Sequence, residues 1–173
     1  MLIRRELPGD EPAVTEVHAE AFAPIYPGSH PVEPRLVTRL RNSDAWLPPL
    51  SLVAVVDGAV VGHVCCTRGE LLPGREPVLG LGPLGVRQQH QRSGVGSALM
   101  HAVLGAADAL DEPLVVLLGH PGYYPRFGFR PAAELGIEPQ DPEWAPAFQA
   151  RPLTRHRPEL RGRFEYAQPF SEL

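Results

Sequence analysis

Two glycine patterns lie within residues 80 to 100, GLGPLGVRQQHQRSGVGSALM, and each could cradle a phosphate. Gly80-x-Gly82-x-x-Gly85 spells the dinucleotide fingerprint. That chemistry needs a strand, a tight glycine turn and a helix in immediate succession. Pro83 falls inside the turn, and no apolar helical period begins until Val95. Asp108, near the spacing of the ribose-binding acid, falls inside the following helical pattern rather than on a second strand. These glycines therefore read as positions in a strand that bends, bulges or is closely approached. The second pattern, Gln91-x-x-Gly94-x-Gly96, runs into a helical stripe. Helix starts carry unpartnered N–H groups and a positive dipole end. Glycine there lets an anion reach the backbone. A diphosphate is the natural occupant, with Gln91 and Arg92 adding donors. No Gly-Lys-Ser/Thr follows, so this is not a Walker loop.

The elements that must position this loop are legible around it. Leu2 to Arg5 reads as a first strand, broken by Pro8-Gly9-Asp10. Asp10 is a plausible N-cap for a helix carrying Val14, Val17, His18 and Ala21 on one face, ended by Pro24 and Pro27. A second helix follows Pro34, with Leu36, Val37 and Leu40 as its stripe and Pro48-Pro49 as its stop. Two β-branched runs, 51–56 and 59–67, flank Asp57-Gly58, a strong hairpin signal. Gly69 to Pro77 reads as a loop, and Val78 to Val86 as the third antiparallel strand. Ser93 stands at the N-cap of a helix whose stripe is Val95, Leu99, Ala102, Val103, Ala106 and Leu110. Residues 114–119, LVVLLG, suit a strand buried on both faces. It should run parallel to strand 78–86 through the intervening helix. Beyond residue 130 the pattern is irregular, with possible strands at Phe148 to Leu153 and Phe164 to Tyr166. The order is that of one α/β (α+β) domain spanning residues 1–173.

The glycine loop and the segment after the next strand, GHPGYYPRFGF, together resemble the GNAT family of acetyl-CoA-dependent N-acyltransferases. That family carries Gln/Arg-x-x-Gly-x-Gly/Ala at this place, and Tyr-x-x-x-Gly-Phe after the next strand. The chain is most similar to the bacterial subgroup with LGPLAV and YYPRFGF-type motifs, and its ending, GRFEYAQPF, is similar too. The resemblance implies a mixed, mostly antiparallel sheet with one parallel strand–helix–strand unit and helices on both faces. It implies acetyl-CoA as co-substrate, held by Leu84, Gly85 and Val86 along the strand. Gln91, Arg92, Ser93, Gly94, Val95, Gly96 and Ser97 would bind its pyrophosphate. The Leu84 N–H would polarise the thioester carbonyl. Tyr124 matches the usual general acid, with Tyr123 its competitor. Several family members place a glutamate near position 80, where this chain has Leu79-Gly80-Leu81-Gly82. The general base is thus open between Glu33, His120 and water.

The expected reaction is acetyl transfer to a small-molecule primary amine by direct attack. Two alternatives remain: an acyl-CoA sensor without catalysis, and a protein N-terminal or lysine acetyltransferase. With a net charge of −4, the chain gives no general reason to expect nucleic acid as a partner. The Arg-rich stretch 151–163 reads as solvated loop. His63-x-Cys65-Cys66 lacks a second ligand pair at zinc spacing, so no metal is expected. The adjacent cysteines are poorly placed to bridge each other and suit a reducing compartment. No signal-peptide pattern or membrane-length apolar run is seen, so the expected location is cytoplasmic. The oligomeric state is open between monomer and homodimer.

Overall fold

The computed structural model describes all 173 residues. Its strands are β1 Leu2–Arg5, β2 Trp46–Val56, β3 Ala59–Leu72, β4 Glu76–Val86, β5 Leu114–Leu118, β6 Arg130–Pro131, β7 Ile137–Glu138, β8 Phe148–Pro152 and β9 Gly162–Glu165. Its α-helices are α1 Glu11–Phe22, α2 Glu33–Arg41 and α3 Val95–Ala109. The strands form one sheet in the order β1-β2-β3-β4-β5-β8-β6, with β9 pairing β3 and β7. Most neighbours are antiparallel, while β4 and β5 are parallel. Alternate β2 residues face opposite layers, as the strand period of two requires. Leu52 and Ala54 pack with Leu99, Val103 and the rest of α3. Val53 packs with Val14, Val17 and Val37 from α1 and α2.

The Asp57-Gly58 hairpin forms as read, with both residues at positive φ (49° and 79°). Several boundaries differ from expectation. Asp10 does not cap α1 with its side chain. Its carboxylate instead accepts from Arg4 at 2.6 and 3.0 Å and from the Leu7 amide at 2.8 Å, so a 3-10 turn runs straight into the helix. Pro48-Pro49 lies within β2, in an irregular stretch between Trp46 and Ser51 where no ladder donor is needed. The presumed loop from Gly69 is strand as far as Leu72, because β3 gains β9 as a second partner there. Ser93 does not cap α3: its hydroxyl donates to the His90 carbonyl, and Gly94 takes the cap position. The buried face of α3 includes Met100, Leu104 and Ala107, while Leu110, expected in the stripe, is 49% exposed.

What matters for the site is where β4 and β5 part. Their pairing is confined to Leu79↔Val115 and Gly80↔Val116. Beyond it β4 continues to Val86, and its register against β3 slips between Cys66↔Leu81 and Val64↔Leu84. The extra residue lies in Gly82-Pro83, with Gly82 at φ 141°. This is a β-bulge, and it bends β4 away from β5.

Candidate functional site

The first glycine pattern holds no turn. β4 runs through Gly80, Gly82 and Gly85, and no helix follows directly. Gly85 is small because a side chain approaches it: a Cβ there would stand 2.8 Å from His18 Nδ1. Gly80 is covered in the same way by Phe164 and Tyr166, each 3.2 Å from a would-be Cβ. Aromatic rings from β9 and the residue after it therefore fill the space beside Gly80.

The second pattern forms a left-handed loop at the start of α3. Gly94 sits at φ 90°, and a Cβ on it would meet nothing within 4 Å. Arg92 also has positive φ (58°). The amides of residues 92 to 97 make no backbone hydrogen bond within the protein, and they open on a groove of about 630 Å³. Leu84, Val86, Gln91, Arg92, Gly94, Gly96 and Ser97 line it. Of the other candidates, Gly85 faces His18, Ser93 turns back to His90, and Val95 is buried in the core under α3. Gln91 ties the loop to the end of β4 by donating to the Val86 carbonyl at 3.1 Å. A donor-rich, left-handed loop at a helix start fits a pyrophosphate.

Arg126 was not singled out by sequence reasoning. It lines the same groove, with its guanidinium 4.6 Å from the Tyr123 ring centroid and a 2.8 Å bond to the Tyr123 carbonyl. Its signal was available, since it lies inside YYPRFGF. Phe22 and Ile25 were missed as well, because no motif marks the end of α1.

A second cavity, also about 630 Å³, continues from the groove, sharing Phe22, Ile25, Leu84 and Tyr123 with it. It reaches Gly82, Pro83, Glu33, His120 and Tyr124. Tyr124 is lodged against Gly119, where a Cβ would come within 2.3 Å of its ring. Burial and the neighbouring Tyr123 push its hydroxyl up to about 12, so at neutral pH it keeps its proton and can donate. Tyr123 and Tyr124 meet edge to face, 5.0 Å apart.

The two candidate bases differ in geometry. His120 Nδ1 accepts the Gly122 amide at 3.0 Å. A backbone N–H can only donate, so the proton of the neutral ring sits on Nε2, which then has no lone pair to offer. One Glu33 oxygen accepts from the Tyr26 hydroxyl at 3.1 Å, and the other is buried without a partner.

Behind β4 lies a polar chain that sequence reasoning did not find. Arg41 donates to Glu6 at 2.5 Å, and Ser51 also donates to Glu6. His63 Nε2 meets Ser51 Oγ at 2.9 Å, and His18 Nε2 meets His63 Nδ1 at 2.8 Å. Both rings are fully buried. With both neutral, each ring's one proton points toward Glu6, which leaves His18 Nδ1 bare beside Gly85. Burial holds both histidines below their ordinary 6.5. The cysteines take no part: both are buried free thiols, and Cys65 donates to the Gly82 carbonyl at 3.3 Å. The Arg-rich stretch is largely paired internally: Arg155 with Asp111, Arg157 with Glu76 and Arg163 with Glu165.

The profile of the acetyltransferase (GNAT) family matches residues 15–129, which span both helical layers, the cradle and Tyr124. The chain belongs to the GNAT family. This GNAT chain is 32% identical over 154 residues to the uncharacterised N-acetyltransferase YhbS of Escherichia coli K12, covering 88% of this chain and 87% of YhbS. It is 34% identical over 129 residues to the N-acetyltransferase YjhQ of the same strain, covering 72% and 66%. The crystal structure of E. coli YhbS in complex with CoA superposes with a TM-score of 0.87 at 29% identity, covering 98% of this chain and 91% of that one. A GNAT acetyltransferase from Brucella melitensis in complex with acetyl-CoA gives 0.79 at 31% identity, covering 98% and 97%. No helix of this GNAT enzyme is long and apolar enough to cross a membrane.

Proposed function

We propose that this enzyme acetylates the primary amine of a small molecule, with acetyl-CoA as donor. One observation carries the reading: the unpartnered amides around Gly94 open on a groove continuous with the cavity that holds Tyr124. The CoA and acetyl-CoA complexes of the two similar enzymes support the same use of the groove here. Acetyl-CoA supplies an acyl group activated as a thioester.

The residues divide the remaining work. Residues 91 to 97, with Arg126, hold the diphosphate through main-chain donors and two guanidinium groups. Leu84 and Val86, beyond the bulge where β4 leaves β5, lie along the passage between groove and cavity. The Leu84 N–H polarises the carbonyl, so that negative charge developing on its oxygen meets a fixed donor. Tyr124 donates its hydroxyl proton toward the departing sulfur. The acceptor nitrogen arrives from the Glu33 side of the cavity and attacks directly, after losing a proton to Glu33 or to water. His120 is left with a donor role, since its unprotonated nitrogen is already occupied.

Steady-state release of free thiol across an amine panel tests this reading. Tyr124→Phe should lower kcat by about 100-fold or more, as for loss of a general acid, with the KM for acetyl-CoA little changed. Unchanged turnover would remove Tyr124 from the mechanism. CoA binding without turnover of any amine would make the protein an acyl-CoA sensor.

A further inference from the structure

The Tyr124 cavity is lined by nineteen residues, twelve of them apolar. Phe22, Trp144, Tyr166 and Phe170 supply aromatic walls, and Leu36 and Leu118 add aliphatic ones. Among Asp, Glu, Lys and Arg, only Glu33 lines it. Its carboxylate is half-satisfied: the Tyr26 hydroxyl reaches Oε1 at 3.1 Å, while Oε2 is shielded from solvent and meets no donor. A buried carboxylate oxygen without a donor is costly, and an ammonium in this mostly apolar cavity is the complementary partner once a small turn of the Glu33 side chain presents Oε2 to it.

We infer that the acceptor is a primary amine, cationic in water, carried on a single uncharged apolar body such as an alkyl or aryl chain, and that Glu33 receives its ammonium. The charge pattern excludes other acceptors by the same logic. An amino acid or phosphorylated amine brings an anion into a cavity with no Lys or Arg. A polyamine brings a second ammonium with no second acidic side chain to meet it. A peptide N-terminus brings a row of amides, against which the cavity offers few polar groups, chiefly Gln140, Ser171 and His120. The volume of about 630 Å³ lies within the usual range for a small-molecule site.

Binding of the ammonium at Glu33 is independent of the acetyl-transfer reading; the chemical step after it rests on that reading. In the transfer, the C–N bond forms as the C–S bond breaks. The nitrogen, starting as an ammonium, loses two protons: one ends on the sulfur of CoA, and the other leaves on the Glu33 side.

Two readouts test the inference on the intact protein. Trp144 lines the cavity, so hexylamine, phenethylamine, 1-hexanol, spermidine, glycine and a short peptide can be titrated by tryptophan fluorescence. Thiol release measures turnover of the amines. Hexylamine and phenethylamine should exceed spermidine, glycine and the peptide in kcat/KM by about 100-fold, since each rejected acceptor buries an unpaired polar or charged group. Glu33→Gln should weaken hexylamine binding by roughly 10- to 100-fold, the worth of a hydrogen bond to a charged group, and leave 1-hexanol binding and the KM for acetyl-CoA unchanged. A purely structural role for Glu33 would weaken the amine and the alcohol equally. That result, or preference for spermidine, glycine or the peptide, overturns the inference while leaving acetyl transfer standing. Hexylamine binding that depends on Glu33, without thiol release from hexylamine or phenethylamine, leaves an ammonium site at Glu33 but overturns the apolar amine as the acceptor.

Discussion

Gly119→Ala offers a test of the Tyr124 assignment that leaves the hydroxyl in place. The added methyl would stand 2.3 Å from Tyr124 Cε2, 2.9 Å from Cδ2 and 3.2 Å from Leu117 Cδ1. Carbon atoms in ordinary contact are ~3.5 Å apart, so the ring must retreat by roughly 1 Å. Neither neighbour is the loose end of a long side chain. Tyr124 is wedged against Tyr123 and Phe129, with ring centroids 5.0 and 6.0 Å away, so the ring cannot simply swing into a void. Overpacking of this kind costs about 1–3 kcal/mol of stability. In a chain of this length that is a fall in melting temperature of roughly 2 to 12 °C. A misplacement of about 1 Å costs on the order of 100-fold in rate. The assay is thiol release by Gly119→Ala, Tyr124→Phe and the double variant, with acetyl-CoA saturating. If the substitution acts on rate by displacing Tyr124, the double variant should be no slower than Tyr124→Phe alone. Two losses that multiply, or a Gly119→Ala enzyme with full activity, would show that Gly119 does not act through Tyr124.

Acid should destabilise the fold through the chain behind β4. His18 and His63 are held below 6.5 by burial, so below that pH the unfolded chain takes up protons that the folded one refuses. Glu6 is also held low, by its bonds from His63 and Ser51 against the opposing cost of burial, so its contribution too is lost as the pH falls through its folded value. Denaturant titrations from pH 7.5 to 4.5 should therefore show a steady loss of stability starting near pH 6.5, and a flat profile would show that neither ring is buried neutral. Arg126→Ala should weaken CoA binding about 3- to 30-fold, with a shallower salt dependence, by removing a cation from the groove and its contact with Tyr123. Isothermal titration at two salt concentrations checks this, and an unchanged affinity would place the phosphates elsewhere.

How far the sequence foretold this site depends on what each residue answers to. The glycine loop at the start of α3 was legible because a left-handed turn into a helix has local demands on spacing and Cβ. The parallel β4–β5 pair was legible because LVVLLG is apolar on both faces. Gly80 and Gly85 were legible as closely approached strand glycines, but the rings that approach them, Tyr166 and His18, were not, being remote in sequence. The His18–His63–Ser51–Glu6–Arg41 chain was invisible for the same reason: five polar residues on separate elements share no period. Ser93 shows the opposite failure. Its type suits an N-cap, but the left-handed turn at Gly94 moves the helix start by one residue. The cavity walls Trp144 and Phe170 lie in 3-10 turns of the irregular C-terminal region, where no periodicity announces a face.

The phosphate cradle proposed at Gly94 underlies the acetyl-transfer reading, and a thermal-shift titration with CoA, acetyl-CoA and NADH on wild type and Gly94→Glu probes it without an acceptor. The substitution meets no steric obstacle and costs only about 1–2 kcal/mol for a side chain in the left-handed region, so the variant folds. A ligand at a hundredfold excess over its Kd adds ~2.7 kcal/mol to the stability of the folded state. A CoA-binding cradle gives that shift with both CoA species on the wild type and none with NADH. Gly94→Glu should lose it, because a carboxylate then occupies the place of the phosphates. A full CoA shift in Gly94→Glu, or a shift with NADH alone, would mean that Gly94 does not hold the diphosphate of CoA.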